Sequence, residues 1–188
     1  MKELGGRLGL RLEVGVAGIG GQGVLVAGSI IGKAAVLDGF NASQSVSYGA
    51  EVRGTLSLSE LVLSDGPIAY PFTSRLDALI IMSERVARKA LRKLKLGGLL
   101  VIDEKVKEVS TENYKAVTIP AFRLAEEKLK KPLLGNLILV GALSKLMGIP
   151  SLRSLEKALI EELPEVRAKV RGSVALEALR LGFSLVVV

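Results

Sequence analysis

The hydrophobic pattern changes period several times along the chain, and each change marks an element. After a basic lead-in, Leu12–Ala17 is a mostly apolar run too short for a helix, and it predicts the first strand. Val24–Leu37 then places Leu25, Gly28, Ile31 and Ala35 at helical spacing, with Gly39 closing the helix. Gly28 and Gly32 on that helix predict a close approach to the sheet. Asn41–Ser47 returns to strand. Thr55–Leu63 alternates through Leu56 and Leu58 and then shifts phase to Leu61 and Leu63. That shift predicts an antiparallel or edge strand with a bulge near Ser59-Glu60. Ser64-Asp65-Gly66-Pro67 is a turn.

Asp77–Met82 is a continuous apolar run behind one Asp, the pattern of a central parallel strand. A helix is predicted over Glu84–Leu94, ended by Gly97-Gly98, followed by a strand over Leu99–Ile102 with Asp103 at its carboxyl end. Lys115–Ile119 is another strand, stopped by Pro120. The last third is helical: Ala121–Lys130, Leu137–Met147, Ser151–Leu163 and Glu165–Leu181, separated by Gly148, Pro150 and Pro164, with Ser151 as an N-cap. Gly182–Val188 is a short apolar tail, read as a final strand or a segment packed on a neighbour. Alternating strands and helices predict an α/β, Rossmann-like layered fold. Its central sheet is mainly parallel, with an antiparallel or edge strand and a helical C-terminal part, all in one domain over residues 1–188.

Between the first strand and helix stands Gly18-Ile19-Gly20-Gly21-Gln22-Gly23. Gly18, Gly20 and Gly23 satisfy G-x-G-x-x-G, a spacing that seats a phosphate on a helix N-terminus, where free N–H groups and the dipole favour anions. A tight strand-to-helix turn needs the same glycines for steric reasons alone. A dinucleotide site also needs an acid at the end of the second strand to hold the ribose. Here that strand ends Ser43-Gln44-Ser45-Val46-Ser47; Asp38 comes too early and Glu51 lies beyond it.

A second loop, Ser47-Tyr48-Gly49-Ala50-Glu51-Val52-Arg53-Gly54, carries hydroxyls, a phenol, a carboxylate and an arginine between two glycines. In doubly wound folds such loops at strand carboxyl ends line the ligand crevice. Glu51 and Arg53 are suited to clamp a ligand or to pair with another subunit, and pairing with each other is the plainer alternative. Asp77 and Asp103 border strands and suit turn and cap roles. Asn136, at the start of the helix Leu137–Met147, is a capping candidate. The helix near Glu84–Lys95 turns Arg85, Arg88, Lys89, Arg92 and Lys93 to one side and Val86, Ala90, Leu91 and Leu94 to the other. That is a solvated outer face, without the interleaved aromatics of nucleic-acid binding.

Composition narrows the chemistry. The chain has neither cysteine nor histidine. It therefore cannot ligate an iron–sulfur cluster through thiolates, build a Cys/His zinc site or run a Ser-His-Asp mechanism. A net charge of +7 favours acidic ligands or partners such as nucleotides and coenzyme A, and a solvated basic surface explains it equally. Two Gln and three Asn are few, as in thermophile proteins. Val14–Gly32 is uncharged, but its seven clustered glycines favour strand, loop and helix over a membrane span. With no apolar leader at Met1–Glu13, a cytoplasmic location is expected.

Five segments together resemble a known family: GIGGQGVLVAGSIIGKAA (Gly18–Ala35), QSVSYGAEVRG (Gln44–Gly54), LSDGPIAYP (Leu63–Pro71), LKLGGLLVIDE (Leu94–Glu104) and GNLILVGALSKLMG (Gly135–Gly148). In that order, over nearly the whole chain, they are similar to the gamma subunit of 2-oxoacid:ferredoxin oxidoreductases. The SYG-x-E form is closest to the 2-oxoglutarate branch. One departure is Gly54-Thr55, where the family usually carries two glycines after the arginine.

The resemblance implies a multisubunit enzyme that converts a 2-oxoacid, CoA and oxidised ferredoxin into acyl-CoA, carbon dioxide and reduced ferredoxin. It implies thiamine diphosphate, Mg2+ and [4Fe-4S] clusters on partner subunits, with CoA on or shared with them. The implied partners are alpha and beta subunits, with room for a ferredoxin-like delta subunit, and neither nucleic acid nor membrane. No catalytic or metal-ligating residue is expected in this chain. The expected CoA-phosphate or interface residues are Gly18, Gly20, Gly21, Gln22, Gly23, Ser47, Tyr48, Gly49, Glu51, Arg53, Gly54 and Asn136. The alternatives are a stand-alone NAD(P)-binding Rossmann oxidoreductase and a basic scaffold protein that binds no small ligand.

Overall fold

A computed structural model describes residues 9–49, 56–163 and 174–187. Six strands form one sheet: β1 (Arg11–Ile19), β2 (Asn41–Tyr48), β3 (Leu56–Ser64), β4 (Leu76–Ile81), β5 (Leu94–Asp103) and β6 (Lys115–Ile119), in the order β2-β3-β1-β4-β5-β6. β1, β4, β5 and β6 pair in parallel, whereas β3 lies antiparallel between β1 and β2. The described helices are α1 (Val24–Leu37), α2 (Glu84–Leu91), α3 (Ala121–Leu129), α4 (Gly135–Met147), α5 (Leu152–Glu162) and α6 (Val174–Ser184). This is the predicted α/β fold. No described helix is long and apolar enough to cross a membrane.

The sheet has unequal faces. On one, α1, α3, α4, α5 and α6 bury the larger core, built on Val14, Val16, Leu61, Leu63 and Ile80. On the other, α2 covers Leu79, Ile81 and Leu100 with Val86, Ala87 and Ala90. As predicted, Gly28 brings α1 onto the sheet: an added Cβ would run into the Ser59 hydroxyl. α4 is the innermost helix, buried from Gly135 to Ser144. It crosses α6 backbone to backbone, and a Cβ on Gly182 would overlap the Ile138 carbonyl. The apolar stretch at Gly182 is therefore the last turn of α6, and residues 185–187 form no strand.

Two features depart from the sequence reading. β3 pairs without a register break from Leu56 to Ser64 against β1 and from Ser57 to Ser64 against β2, so there is no bulge at Ser59-Glu60. The apparent phase shift arises because both polar residues are buried with partners. Ser59 Oγ meets Gln44 Nε2 at 2.8 Å, and the Glu60 carboxylate meets Lys93 Nζ at 2.9 Å and Thr73 Oγ1 at 2.5 Å. β3 is antiparallel as predicted, and the sheet edge on that side is β2. α2 stops at Leu91, because Leu94 is already a buried strand residue paired with Leu76. Ser151 caps α5 as predicted, its hydroxyl accepting from Ser154 N at 3.3 Å.

Candidate functional site

The glycine loop leaves β1 at the carboxyl end of the parallel strands. A turn closes it, with Gln22 N donating to Ile19 O at 3.2 Å. Gly21 (φ 89°) and Gly23 (φ 71°) take left-handed backbone that only glycine enters cheaply. Gln22 locks the loop with its amide: Oε1 accepts from Ile19 N at 2.9 Å, and Nε2 donates to Met82 O at 3.2 Å, just past the end of the neighbouring β4. Its polar atoms are thus spent on the loop, which makes Gln22 a positioning residue in this geometry. The part played by Met82 had no signal in the sequence, since a backbone carbonyl leaves none. At Gly20, by contrast, nothing lies within 4 Å of a built Cβ, so the crest of the loop is open.

Asn136 approaches the same loop from α4. Its Nδ2 donates to Gly23 O at 3.4 Å and its Oδ1 accepts from Leu137 N at 2.8 Å, with the residue 6% exposed. Asn136 lies inside the first turn of α4, whose N-cap position is Leu134, so it links two helices rather than capping one in the predicted way. Neither α1 nor α4 carries a side-chain cap. Two helix N-termini therefore meet at Gly23 with their partial positive ends together, an arrangement that favours an anion.

Strand pairing places the second loop beside the first. Across the antiparallel β3, Ser47 is level with Leu58 and Ala17, and Tyr48 with Ser57 and Gly18. Gly49 N donates to Leu56 O at 2.9 Å, level with Ile19. Two inter-strand spacings put Ser47–Gly49 about 10 Å from the glycine loop. The exposed Tyr48 ring stands at this edge. Glu51, Arg53 and Gly54 lie outside the described residues. Gly18, Gly20, Gly21, Gln22, Gly23, Tyr48, Gly49 and Asn136 are thus gathered at one edge of the sheet.

The topology speaks against a dinucleotide site. In the dinucleotide-binding arrangement the second strand lies directly beside the first, so that its terminal acid reaches the ribose. Here antiparallel β3 occupies that place, and β2 is one strand further out with no acid at its end. Asp77 sits at the amino end of β4 and Asp103 at the carboxyl end of the adjacent β5. Asp103 is fully buried and accepts from Lys105 N at 3.1 Å and Phe122 N at 3.2 Å, holding the start of α3. Asp77 accepts from Glu13 N at 2.8 Å and pairs with Lys95 at 2.6 Å. Both are structural, as their sequence setting suggested.

Two polar clusters frame the fold away from the loop. Burial pushes the Glu13 carboxyl up, but hydrogen bonds from Ser74 N, Arg11 and Arg75 N outweigh it and hold the group below its ordinary value. Asp38 shows the same balance: burial is overcome by donors from Ser154 and Ser151 at the start of α5. Along the carboxyl edge, the Arg123 guanidinium lowers Glu104. On α2, Arg85, Arg88 and Lys89 are exposed and Val86, Ala87 and Ala90 buried, the predicted division of faces. A groove of about 380 Å³ beside Lys33, Val36, Leu37 and Ala42 belongs to the far end of α1, away from the loop.

Comparison with known proteins agrees with this geometry. Over 166 residues the chain is 40% identical to the 2-oxoglutarate synthase subunit KorC of Methanocaldococcus jannaschii, covering 85% of this chain and 87% of the relative. It is 39% identical over 163 residues to the KorC subunit of Methanothermobacter marburgensis, covering 82% and 88%. A solved structure, the gamma subunit of a keto/oxoacid ferredoxin oxidoreductase from Geobacter sulfurreducens, superposes with a TM-score of 0.82 at 32% identity. The superposition covers 93% of this chain and 95% of that one. Residues 13–185 match the model of the pyruvate ferredoxin/flavodoxin oxidoreductase family, and the chain belongs to that family.

Proposed function

We propose that the chain is the gamma subunit of a cytoplasmic 2-oxoacid:ferredoxin oxidoreductase acting on 2-oxoglutarate, with residues 1–188 as one domain. The observation that carries the proposal is the 40% identity to a 2-oxoglutarate synthase subunit along 85% of the chain. The complex oxidatively decarboxylates the 2-oxoacid with CoA to acyl-CoA and carbon dioxide, passing two electrons to ferredoxin. Thiamine diphosphate with Mg2+ supplies the decarboxylation chemistry from a partner subunit. The [4Fe-4S] clusters also belong to partners, since a chain without cysteine has no thiolate to hold them. Alpha and beta subunits, and a ferredoxin-like delta subunit where present, complete the assembly.

Within it, the converging starts of α1 and α4 receive a phosphate of CoA. The uncapped helix ends, the open crest at Gly20 and the net charge of +7 support this assignment. Ser47, Tyr48, Gly49, Glu51, Arg53 and Gly54 form the facing loop, toward CoA or a partner subunit.

The test uses the assembled complex. Wild type should reduce viologen with 2-oxoglutarate and CoA in preference to pyruvate. Gly20→Asp adds a carboxylate where no atom opposes it, and should raise KM for CoA roughly tenfold while leaving KM for the oxoacid unchanged. Gly20→Ala is the neutral control. Equal CoA constants in all three proteins would remove CoA from the glycine loop. A complex that turns over pyruvate but not 2-oxoglutarate would overturn the substrate.

A further inference from the structure

The sheet face that carries α2 is only half covered by helix. Over β1, β2 and β3 it is crossed instead by the segment Gly66–Thr73, whose sequence is GPIAYPFT. Three successive carbonyls of this strap are held by side chains of the sheet. Arg11 donates Nη1 to Tyr70 O at 3.1 Å and Nη2 to Phe72 O at 3.0 Å, and Ser43 Oγ donates to Pro71 O at 3.0 Å. Asn41 Nδ2 holds Gly66 O at 3.0 Å at one end. At the other, Thr73 Oγ1 reaches Glu60 at 2.5 Å, and the amides of Ser74 and Arg75 reach Glu13 at 2.6 and 3.0 Å.

With its backbone fixed this way, the strap turns Tyr70 and Phe72 outward. Tyr70 is 61% exposed and Phe72 53% exposed, their rings packed edge to face at 5.6 Å. In a chain with seven aromatic residues and no tryptophan, two are spent here on solvent. Two prolines, Pro67 and Pro71, stiffen the display further. A preorganised aromatic pair is what a docking anchor needs, because little side-chain or loop entropy is left to lose on binding.

Charge identifies the partner. Of the carboxylates beside the strap, Glu13, Glu60 and Asp77 are engaged by Arg11, Lys93 and Lys95, and the exposed Asp65 stands at its start. The exposed cations Arg75, Arg85, Lys89 and Arg92 stand on the same face. A second copy would present the same basic rim and be repelled, whereas a surface with an apolar recess and an acidic rim is complementary. We propose that Tyr70 and Phe72 anchor this chain to a different, acidic-rimmed subunit of the oxidoreductase, an inference that rests on the function proposed above.

The experiment co-expresses the full chain with the thiamine- and cluster-bearing subunits and isolates the complex through a tag on one of those subunits. Tyr70→Ser with Phe72→Ser should cut recovery of this chain about tenfold or more, while Leu133→Ser, at an equally exposed leucine elsewhere, leaves it unchanged. The isolated double variant should keep the far-UV circular dichroism and melting temperature of wild type. Hydrogen exchange on the unsubstituted proteins gives a readout free of any folding defect: amides of Ala69, Tyr70 and Phe72 should exchange more slowly in the complex than in the free chain. Full recovery of the double variant, or unchanged exchange over the strap, overturns the anchor alone. A wild-type dimer of the isolated chain that the double variant converts to monomer overturns it in favour of a second copy. Failure of the wild type to assemble at all overturns the proposed function together with the anchor.

Discussion

The side-chain amide of Asn136 donates to the carbonyl of Gly23, 3.4 Å away, and so joins the first turn of α4 to the glycine loop at the start of α1. Residues 113 positions apart in sequence thereby set the geometry of one corner of the site. Gly23 is under two constraints there. Its φ of 71° disfavours any side chain, and a Cβ would collide with Asn136 Nδ2. Gly23→Ala should therefore lose about 2 kcal/mol or more of unfolding free energy in urea, the backbone part alone costing roughly 1–2. Combining it with Asn136→Gly should restore the collision part and leave the backbone part, so the two changes will not add. Additive effects would mean that the two residues do not touch.

Gln22 offers a cleaner separation of roles. Gln22→Ala removes the acceptor for Ile19 N and the donor for Met82 O, and should cost about 1–3 kcal/mol. Gln22→Glu keeps the acceptor but turns a carboxylate oxygen toward the Met82 carbonyl. Its destabilisation should be larger at pH 8 than at pH 5, because protonation restores a donor. Urea midpoints at the two pH values measure this. A pH-independent loss would show that the amide makes no bond to Met82.

These two residues also mark how far the sequence could be read. The bounds of α1 and β6 agree with the pattern because each is closed by its own chemistry: a glycine loop and Gly39 for α1, Pro120 for β6. The pattern extends α2 too far because Leu91 and Leu94 continue the helical spacing, although Leu94 pairs with Leu76 in the sheet. Periodicity reports which residues are buried, not which strand lies beside which. The insertion of β3 between β1 and β2, which excludes the dinucleotide arrangement, was therefore hidden. Ser59 and Glu60 looked like a break in a strand because their partners, Gln44 and Lys93, are 15 and 33 residues away. The glycines of the loop were legible; that Gln22 is consumed in holding them was not. For the strap, the pattern shows a turn at Ser64–Pro67 and a family-like segment over Leu63–Pro71, and the two prolines and two aromatics within Pro67–Phe72 stand out in a chain so poor in aromatics; that its backbone is held by Arg11 and Ser43 leaves no mark in the sequence.

The crossing of α4 and α6 is the most sensitive contact in the larger core. Gly182→Ala drives a methyl group into the Ile138 carbonyl, which is backbone and cannot rotate away. The helices must separate, and overpacking of that kind costs about 3 kcal/mol or more when the atom met is main chain. Gly20→Ala, in open space, should stay within about 0.5 kcal/mol of wild type. Thermal melts of the two variants give the comparison, and a Gly182→Ala protein as stable as Gly20→Ala would contradict the close crossing.

Acid should weaken the chain through Glu13. The residue is 5% exposed, and its carboxylate accepts from Ser74 N, Arg75 N and Arg11 and is held below its ordinary value near 4.5. A carboxyl lowered on folding contributes stability that is fully present above the unfolded value and is lost as pH falls through the folded one. At pH 7 Glu13→Gln should therefore be less stable than wild type by about 2 kcal/mol, the scale of hydrogen bonds to a buried charge. The gap should persist down to about pH 5 and close below about pH 4.5, as the wild-type carboxyl takes up its proton. Because the same carboxylate ties down Ser74 and Arg75 at the end of the strap, hydrogen exchange there should quicken in Glu13→Gln at neutral pH and in wild type only under acid. A stability gap that does not change with pH would place the effect in packing and not in the charge of Glu13.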